Sequence, residues 1–436
     1  MSKSIERFRE LTMLDGTSGF ESEISKYLEE NLSKYADEIK YDNLGGIYAI
    51  KKSKKEDAKT VMISAHMDEV GFIVTKVLPN GMLKFETLGG FREDVLLAQT
   101  YTVTSYEGKK FTGVIGSIPK HFTAGVAQNV KISDMTIDVG ASSREEALAM
   151  GIREGAFVTP KTTFEQLTEH RFMSKAVDNR YGCVIITEIL EQFSEKELDF
   201  NLVVCATVQE EVGLRGATVA ANMIKPDVCF VVDCSPANDM DGKETSNGRL
   251  GQGFLVRLVD RTMVLRANMR EKIVALAEEN GIKYQYFTSP GGTDAGNIHQ
   301  ALNGVPTTVI GICARYIHTH NAVFDIRDYY AAKAILGKLI ETIDDKFIED
   351  VRNVDRNFFY PRFFIFFFYF GEIVEVLLHN IYCCYSHIQA LKDYNSLHIE
   401  PHHNLHRSYH SIHLPYILFV LSHEFLLLFR IEYYLQ

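Results

Sequence analysis

Thr60-Val61-Met62-Ile63-Ser64-Ala65-His66-Met67-Asp68 passes from a strand-length apolar run directly into an imidazole and a carboxylate. The same pattern recurs downstream. Residues 202–208 end in Gln209-Glu210-Glu211, residues 228–232 end in Asp233, and residues 307–313 lead to Tyr316-Ile317-His318. Helical periodicity covers residues 179–193, 214–224, 268–280, 294–302 and 325–343, with a further strand at 254–259. Strands alternating with helices predict an α/β fold, a mostly parallel sheet sandwiched by helices. Open sheets of this kind place their sites at the carboxyl ends of strands, where His66, Glu210, Glu211, Asp233 and His318 fall.

Two segments stand apart. From 69 to 168, short alternating runs are punctuated by Pro79-Asn80-Gly81, Gly89-Gly90, Glu107-Gly108 and Gly140, which are hairpin signals. Ser143-Arg144-Glu145-Glu146 adds one capped helix start. This texture predicts a small β-barrel-like domain inserted into the α/β domain, dividing it into residues 1–68 and 169–355. Ahead of it, residues 4–36 read as two amphipathic helices broken at Asp15-Gly16-Thr17-Ser18-Gly19, and residues 42–47 read as strand. Residues 356–436 hold nine of the fifteen histidines and a single glycine. They read as an atypical aromatic and histidine-rich extension without a catalytic role. Within it, residues 414–429 are apolar but carry His423 and Glu424 and are shorter than the ~20 residues of a membrane span, so no membrane association is expected.

A chain of 436 residues has room for about three domains. Its net charge of −11 argues against a nucleic-acid partner, since a phosphate backbone requires a basic face. The seven cysteines are scattered without CxxC spacing, and the amino terminus lacks the apolar region of a signal peptide, which suits a reducing cytoplasm.

The chemistry lies in the strand ends. His66, Asp178, Glu211, Asp233 and His318 offer two imidazoles and three carboxylates, ligands suited to zinc, cobalt or manganese. Glu210 stands beside them uncommitted, as a general base must, and Asp68 is spaced to orient the His66 ring. Adjacent Glu210 and Glu211 would repel without a cation, and Asp233 after Cys229-Phe230-Val231-Val232 would be a costly buried charge. Asp178 also suits a helix N-cap, and spacing alone does not separate His318 from His320. Gly291-Gly292-Thr293-Asp294-Ala295-Gly296 lacks the Lys-Ser/Thr ending of a phosphate loop; it could offer N–H groups to a peptide carbonyl or simply form a tight turn. No GxSxG elbow is present. Arg257 is a charge within an apolar strand, there either to snorkel to solvent or to meet a ligand.

With His66-Met67-Asp68-Glu69-Val70-Gly71-Phe72, Asp178-Asn179-Arg180, Glu210-Glu211-Val212-Gly213, Asp233, Gly291 to Gly296 and Ala314-Arg315-Tyr316-Ile317-His318 in order, residues 5–350 resemble the glutamyl and tetrahedral aminopeptidases, a family of cytosolic dinuclear metallopeptidases. The resemblance implies two divalent metal ions, zinc or cobalt, with His66 and His318 as terminal ligands, Asp178 bridging, and Glu211 and Asp233 completing the set. It implies Glu210 as general base, Asp68 as the residue orienting His66, and a cis peptide after Asp178. It also assigns His318 rather than His320. Arg257 looks like the position that meets an acidic first side chain, with Arg261 and Arg266 nearby, and Gly292, Thr293 and Asp294 would contact substrate. The implied activity is removal of N-terminal Glu or Asp from peptides. A broad-specificity leucyl or deblocking enzyme and a dinuclear N-acyl amino acid amidohydrolase are the alternatives. The amidohydrolases carry their small domain between the late Asp and His, whereas here the insertion lies between Asp68 and Asp178. The inserted domain resembles the family's oligomerisation domain, which implies a homo-oligomer that can build a twelve-subunit shell.

Overall fold

The computed structural model describes residues 2–122 and 130–353. The extension read at 356–436, its apolar stretch included, lies outside them.

Eleven strands form one sheet. Its centre is parallel: Asn201–Thr207 and Val228–Pro236 flank Thr60–His66, and Thr307–Arg315 continues beside Val228–Pro236. The flanks are antiparallel, with Ile47–Lys51 and Glu38–Tyr41 on one side and Ala322–Asp325, Arg171–Ser174 and Glu165–Gln166 on the other. Phe254–Val259 and Tyr284–Thr288 branch off Thr307–Arg315. The continuous apolar runs follow from burial on both faces. Val61, Ile63 and Ala65 join the core formed with helices Lys3–Met13, Ser22–Leu32, Val177–Phe193 and Ile326–Thr342, while Met62 faces the cluster under Arg215–Ile224 and Asp294–Gln300.

Register brings the strand ends level. Thr207 pairs with His66, and Val231 pairs with Ser64, so Asp233 comes up beside His66. Val228–Pro236 runs past Asp233, which therefore sits inside a strand and not after its end. Residues 42–46, read as strand, form the turn between Glu38–Tyr41 and Ile47–Lys51, because Asp42 Oδ1 accepts the N–H groups of Leu44, Gly45 and Gly46.

Helix Val177–Phe193 is pressed against the end of Thr60–His66. A Cβ on Gly182 would lie 2.8 Å from Ala65 Cβ and 2.7 Å from Asn179 Oδ1, so only glycine permits the approach that carries Asp178 to the strand ends. The regular helix starts after Asn179, because Asp178 and Asn179 have non-helical backbone angles and the bond between them is cis. Asp178 is thus not a conventional cap.

Gly71–Val77, Leu83–Leu88, Thr136–Asp138, Lys110–Gly116, Thr100–Thr104 and Phe157–Pro160 close into a barrel. Phe72 packs on Phe85, Phe91 and Tyr101 at its centre. A buried ion cluster ties the barrel to the sheet. Asp15 accepts from Thr159 of the barrel at 2.7 Å and pairs with Lys175 at 2.7 Å, and Lys175 also pairs with Glu69 at 2.9 Å.

Among the described residues, the five cysteines are free and buried, and no helix is long and apolar enough to cross a membrane.

Candidate metal centre

Asp178 faces two histidines, one with each oxygen. Its Oδ1 lies 3.1 Å from His66 Nε2 and its Oδ2 lies 3.4 Å from His318 Nε2. Each imidazole has a second carboxylate of its own: Asp233 Oδ1 is 3.6 Å from His66 Nε2, and Glu211 Oε2 is 3.3 Å from His318 Nε2. Two groups able to hold metal therefore share Asp178: His66, Asp178 and Asp233, and Asp178, Glu211 and His318. Glu210 stands to one side, its Oε2 4.0 Å from His66 Nε2.

The surroundings aim these atoms inward. His66 Nδ1 donates to the Asp68 carbonyl at 3.1 Å, and His318 Nδ1 donates to the Gly90 carbonyl at 2.8 Å. With Nδ1 so occupied, each Nε2 presents a lone pair to the carboxylates. Facing lone pairs repel unless a proton or a cation lies between them. Glu211 Oε1, buried without a partner, is a further orphaned acceptor. Asp178, Glu210, Glu211 and Asp233 bring four carboxylates to two imidazoles, an excess of negative charge that divalent metal would neutralise, and the nitrogen and oxygen donors suit zinc or cobalt. The residues present fit a metal.

Proton affinities express the same imbalance. Burial disfavours the charged ring of His66, yet the charge of Glu210 and the oxygens of Asp178, Asp233 and Asp68 outweigh it and raise its pKa well above the ordinary value. His318 is raised likewise against burial, by Glu211 and Asp178. Burial pushes Glu210 well up, and the charges of Asp233, Glu211 and Asp294 add to it. Burial also acts to raise Asp178, but hydrogen bonds from His318 and His66 hold it below the usual carboxylate range.

Asp68 does more than face the His66 ring, whose Nδ1 is 3.4 Å from its Oδ1. Its two oxygens accept the N–H groups of Glu210 at 3.0 Å and Glu211 at 3.1 Å, and Ser18 Oγ donates to it at 2.6 Å.

The roles of the residues around Asp178 escaped the sequence reading. Asn179 Nδ2 donates to the Val232 carbonyl at 2.7 Å, Tyr181 O–H to the Asp233 carbonyl, and the buried Arg180 to the carbonyls of Met67 at 2.9 Å and Leu11 at 2.8 Å. Together they pin the start of the helix between the ligand-bearing strands. A cation at the head of the mostly apolar stretch 181–186 was the available signal for Arg180. Gly90, a barrel-side backbone carbonyl, left no signal at all. His320 donates Nε2–H to the Thr100 carbonyl at 2.8 Å and packs edge-on against Tyr101, away from the carboxylates.

Residues 45–335 match the family model described as M42 glutamyl aminopeptidase. The chain belongs to the M42 glutamyl aminopeptidase family. It is 39% identical to the glutamyl aminopeptidase of Lactococcus lactis subsp. cremoris, over 80% of this chain and 99% of that protein. It is 34% identical to the lysyl aminopeptidase of Pyrococcus furiosus, over 77% and 97% respectively. The TET aminopeptidase of Thaumarchaeota archaeon SCGC AB-539-E09 superimposes with a TM-score of 0.77 at 34% identity, covering 80% of this chain and all of that one, 100%. The TET1 peptidase of Pyrococcus horikoshii, which can assemble into a tetrahedron or a large octahedral shell, gives 0.71 at 28% identity over 78% and 99%. This M42 chain is a peptidase.

The expected substrate residues are more deeply placed than the sequence reading supposed. Arg257 is 2% exposed and does not snorkel. Its Nη1 donates to Asp260 at 3.1 Å and its Nη2 to Ser235 Oγ at 2.6 Å, while Nε is buried without a partner. Arg266 is committed to the Val351 carbonyl at 2.8 Å, far along the chain from the centre. Thr293 caps helix Asp294–Gln300 through the Ala295 N–H, and Asp294 is buried and accepts from Thr207. Burial raises Asp294 to about 7, with Asp233 and Asp68 adding to it against His66 and Thr207. Gly292 alone of the three is exposed.

Proposed function

We propose that this M42 chain is a two-metal aminopeptidase that removes N-terminal residues, Glu and Asp by preference, from peptides. The observation that carries the reading is the two-sided Asp178 carboxylate, which faces His66 and His318 while each histidine keeps its own second carboxylate. His66, Asp178 and Asp233 would hold one ion, and Asp178, Glu211 and His318 the other. Zinc or cobalt bound there would supply acidification of a water and polarisation of the first peptide carbonyl.

The chain's own residues do the rest. Glu210, which lies outside the two groups that share Asp178 but beside His66, takes the proton of the attacking water and returns it to the departing amine. Asp68 holds both the His66 ring and the Glu210-Glu211 backbone in place.

Preference for an acidic first residue is supported by the relative that is a glutamyl aminopeptidase. The Asp260 carboxylate that already neutralises Arg257 favours a second reading, a broad-specificity aminopeptidase. The barrel and its flanks, residues 69–168, would be the assembly domain of a homo-oligomer able to reach a dodecamer, with the exposed Ile118 and Phe122 as apolar contacts. A cytoplasmic location fits the buried free thiols.

A panel of aminoacyl chromogenic amides, with and without chelator, tests the activity, its metal dependence and its preference. Expected are loss of hydrolysis on chelation, recovery with zinc or cobalt, and kcat/KM for the glutamyl amide at least about 100-fold above the leucyl one. Full activity in protein shown by elemental analysis to be metal-free would sink the metal reading. A leucyl preference would select the broad-specificity one.

A further inference from the structure

Three consecutive backbone N–H groups carry the proposed base, and each is held by a buried carboxylate. Those of Glu210 and Glu211 go to Asp68, as described. The third, of Gln209, donates at 3.1 Å to Oε1 of Glu21, which also accepts the Gly19 N–H at 2.8 Å. Glu21 lies in the turn ahead of helix Ser22–Leu32, far from Glu210 in sequence, and is 6% exposed. Among the described residues it has no cation partner; its recorded hydrogen bonds come from backbone N–H groups alone.

Gln209 has φ 55°, a left-handed conformation unfavourable for a residue with a Cβ. A turn in that conformation persists only when its surroundings over-determine it. Relaxation of Gln209 would swing Glu210, the next residue, away from His66. Burying a carboxylate where a neutral side chain would fill the same space carries an electrostatic cost. What Glu21 brings is one oxygen that accepts both the N–H at the strained position and that of Gly19.

We infer that Glu21 is a positioning residue, locking the Gln209 turn so that the Glu210 carboxylate stays aligned beside the metal centre. This rests on the reading of Glu210 as the base. Glu21→Ala, Glu21→Gln and Glu21→Asp should be compared with Glu210→Gln as zinc-loaded full-length protein, following kcat, KM, metal content and melting temperature. Glu21→Ala should lower kcat about 10- to 100-fold with KM within about two-fold and metal content unchanged, the signature of a displaced group. Glu21→Gln keeps an oxygen for both N–H groups and should recover most of that loss. Wild-type kcat in folded Glu21→Ala, or a loss merely proportional to lost metal, overturns the inference. Where the alanine variant does not fold, Glu21→Asp decides: its withdrawn oxygen must lower kcat, and wild-type kcat there overturns the inference too. Wild-type kcat in Glu210→Gln shows instead that the base assignment has failed, and the inference falls with it.

Discussion

Replacing Asp68 by Asn tests how much of the site's geometry depends on one carboxylate. Asp68 is fully buried, and its two oxygens separately receive the Glu210 N–H at 3.0 Å and the Glu211 N–H at 3.1 Å. An asparagine has one oxygen and one NH₂, so whichever way the amide turns, one backbone N–H meets another donor. An orphaned buried donor costs about 1–3 kcal/mol, and losing the charge from the remaining bonds takes roughly 1 kcal/mol more, which gives about 2–4 kcal/mol at pH 7. The sign with pH is set by the carboxyl. Burial acts to raise it, but His66, Ser18 and the Glu210 N–H hold it below the ordinary range. Its contribution is therefore complete above the unfolded value of about 3.9 and is lost as pH falls through the lower folded value. Urea denaturation of chelator-treated protein should show the full difference at pH 7 and a shrinking one below about pH 4. Chelator competition should show metal binding weakened about 10- to 100-fold, because the carboxylate that holds the Glu211 N–H and faces the His66 ring is lost although the Asp68 carbonyl still accepts from His66. A destabilisation under about 0.5 kcal/mol at pH 7, with metal affinity unchanged, would refute the reasoning.

Glu210→Gln should keep the wild-type metal content and lose about 10²–10⁴ in kcat; loss of metal instead would exchange the roles of Glu210 and Glu211. Lys175→Met removes a cation shared by buried Asp15 and Glu69, which keep Lys110 and Arg180 respectively, and should destabilise by about 1–3 kcal/mol in chemical denaturation. Burial works against ionisation of Asp15, but Lys175, Thr159 and Lys110 lower it to about 2. That stability is present above the unfolded value and lost as pH falls toward 2, so the variant's acid-unfolding midpoint should move up. Arg257→Met leaves Asp260 Oδ2 without its guanidinium and should cost about 3–5 kcal/mol. In an acid-preferring enzyme it should also bring the glutamyl-to-leucyl ratio of kcat/KM toward unity, and an unchanged ratio leaves Arg257 as a structural residue.

The α/β architecture and the barrel insertion were legible because their signals are local. Apolar runs of strand length, helical periods between them and glycine-marked hairpins each fit within about 10–20 residues. The candidate ligands were legible for a related reason: His66, Glu211, Asp233 and His318 each end or follow an apolar run, and it is their recurrence in that position, more than any one of them, that points to a shared site. Local pattern misplaced residues 42–46, where Asp42 folds the chain back through its own carboxylate, and it ended the Asp233 strand too early.

What the sequence by itself determined is therefore the set of chemical groups and the elements that carry them. Only the tertiary structure decided how those groups face one another. Asp178 also suits a helix cap until its two oxygens are found turned to different histidines. His318 and His320 are told apart by the barrel carbonyl each one reaches: Gly90 holds Nδ1 of His318 and leaves its Nε2 facing Asp178 and Glu211, whereas Thr100 takes Nε2 of His320 itself. Arg257 could have been a free cation until Asp260 and Ser235 were found holding it. For Asp178 and the two histidines the deciding partner lies far along the chain or is a backbone carbonyl, and a carbonyl, common to all residues, leaves no mark in the sequence.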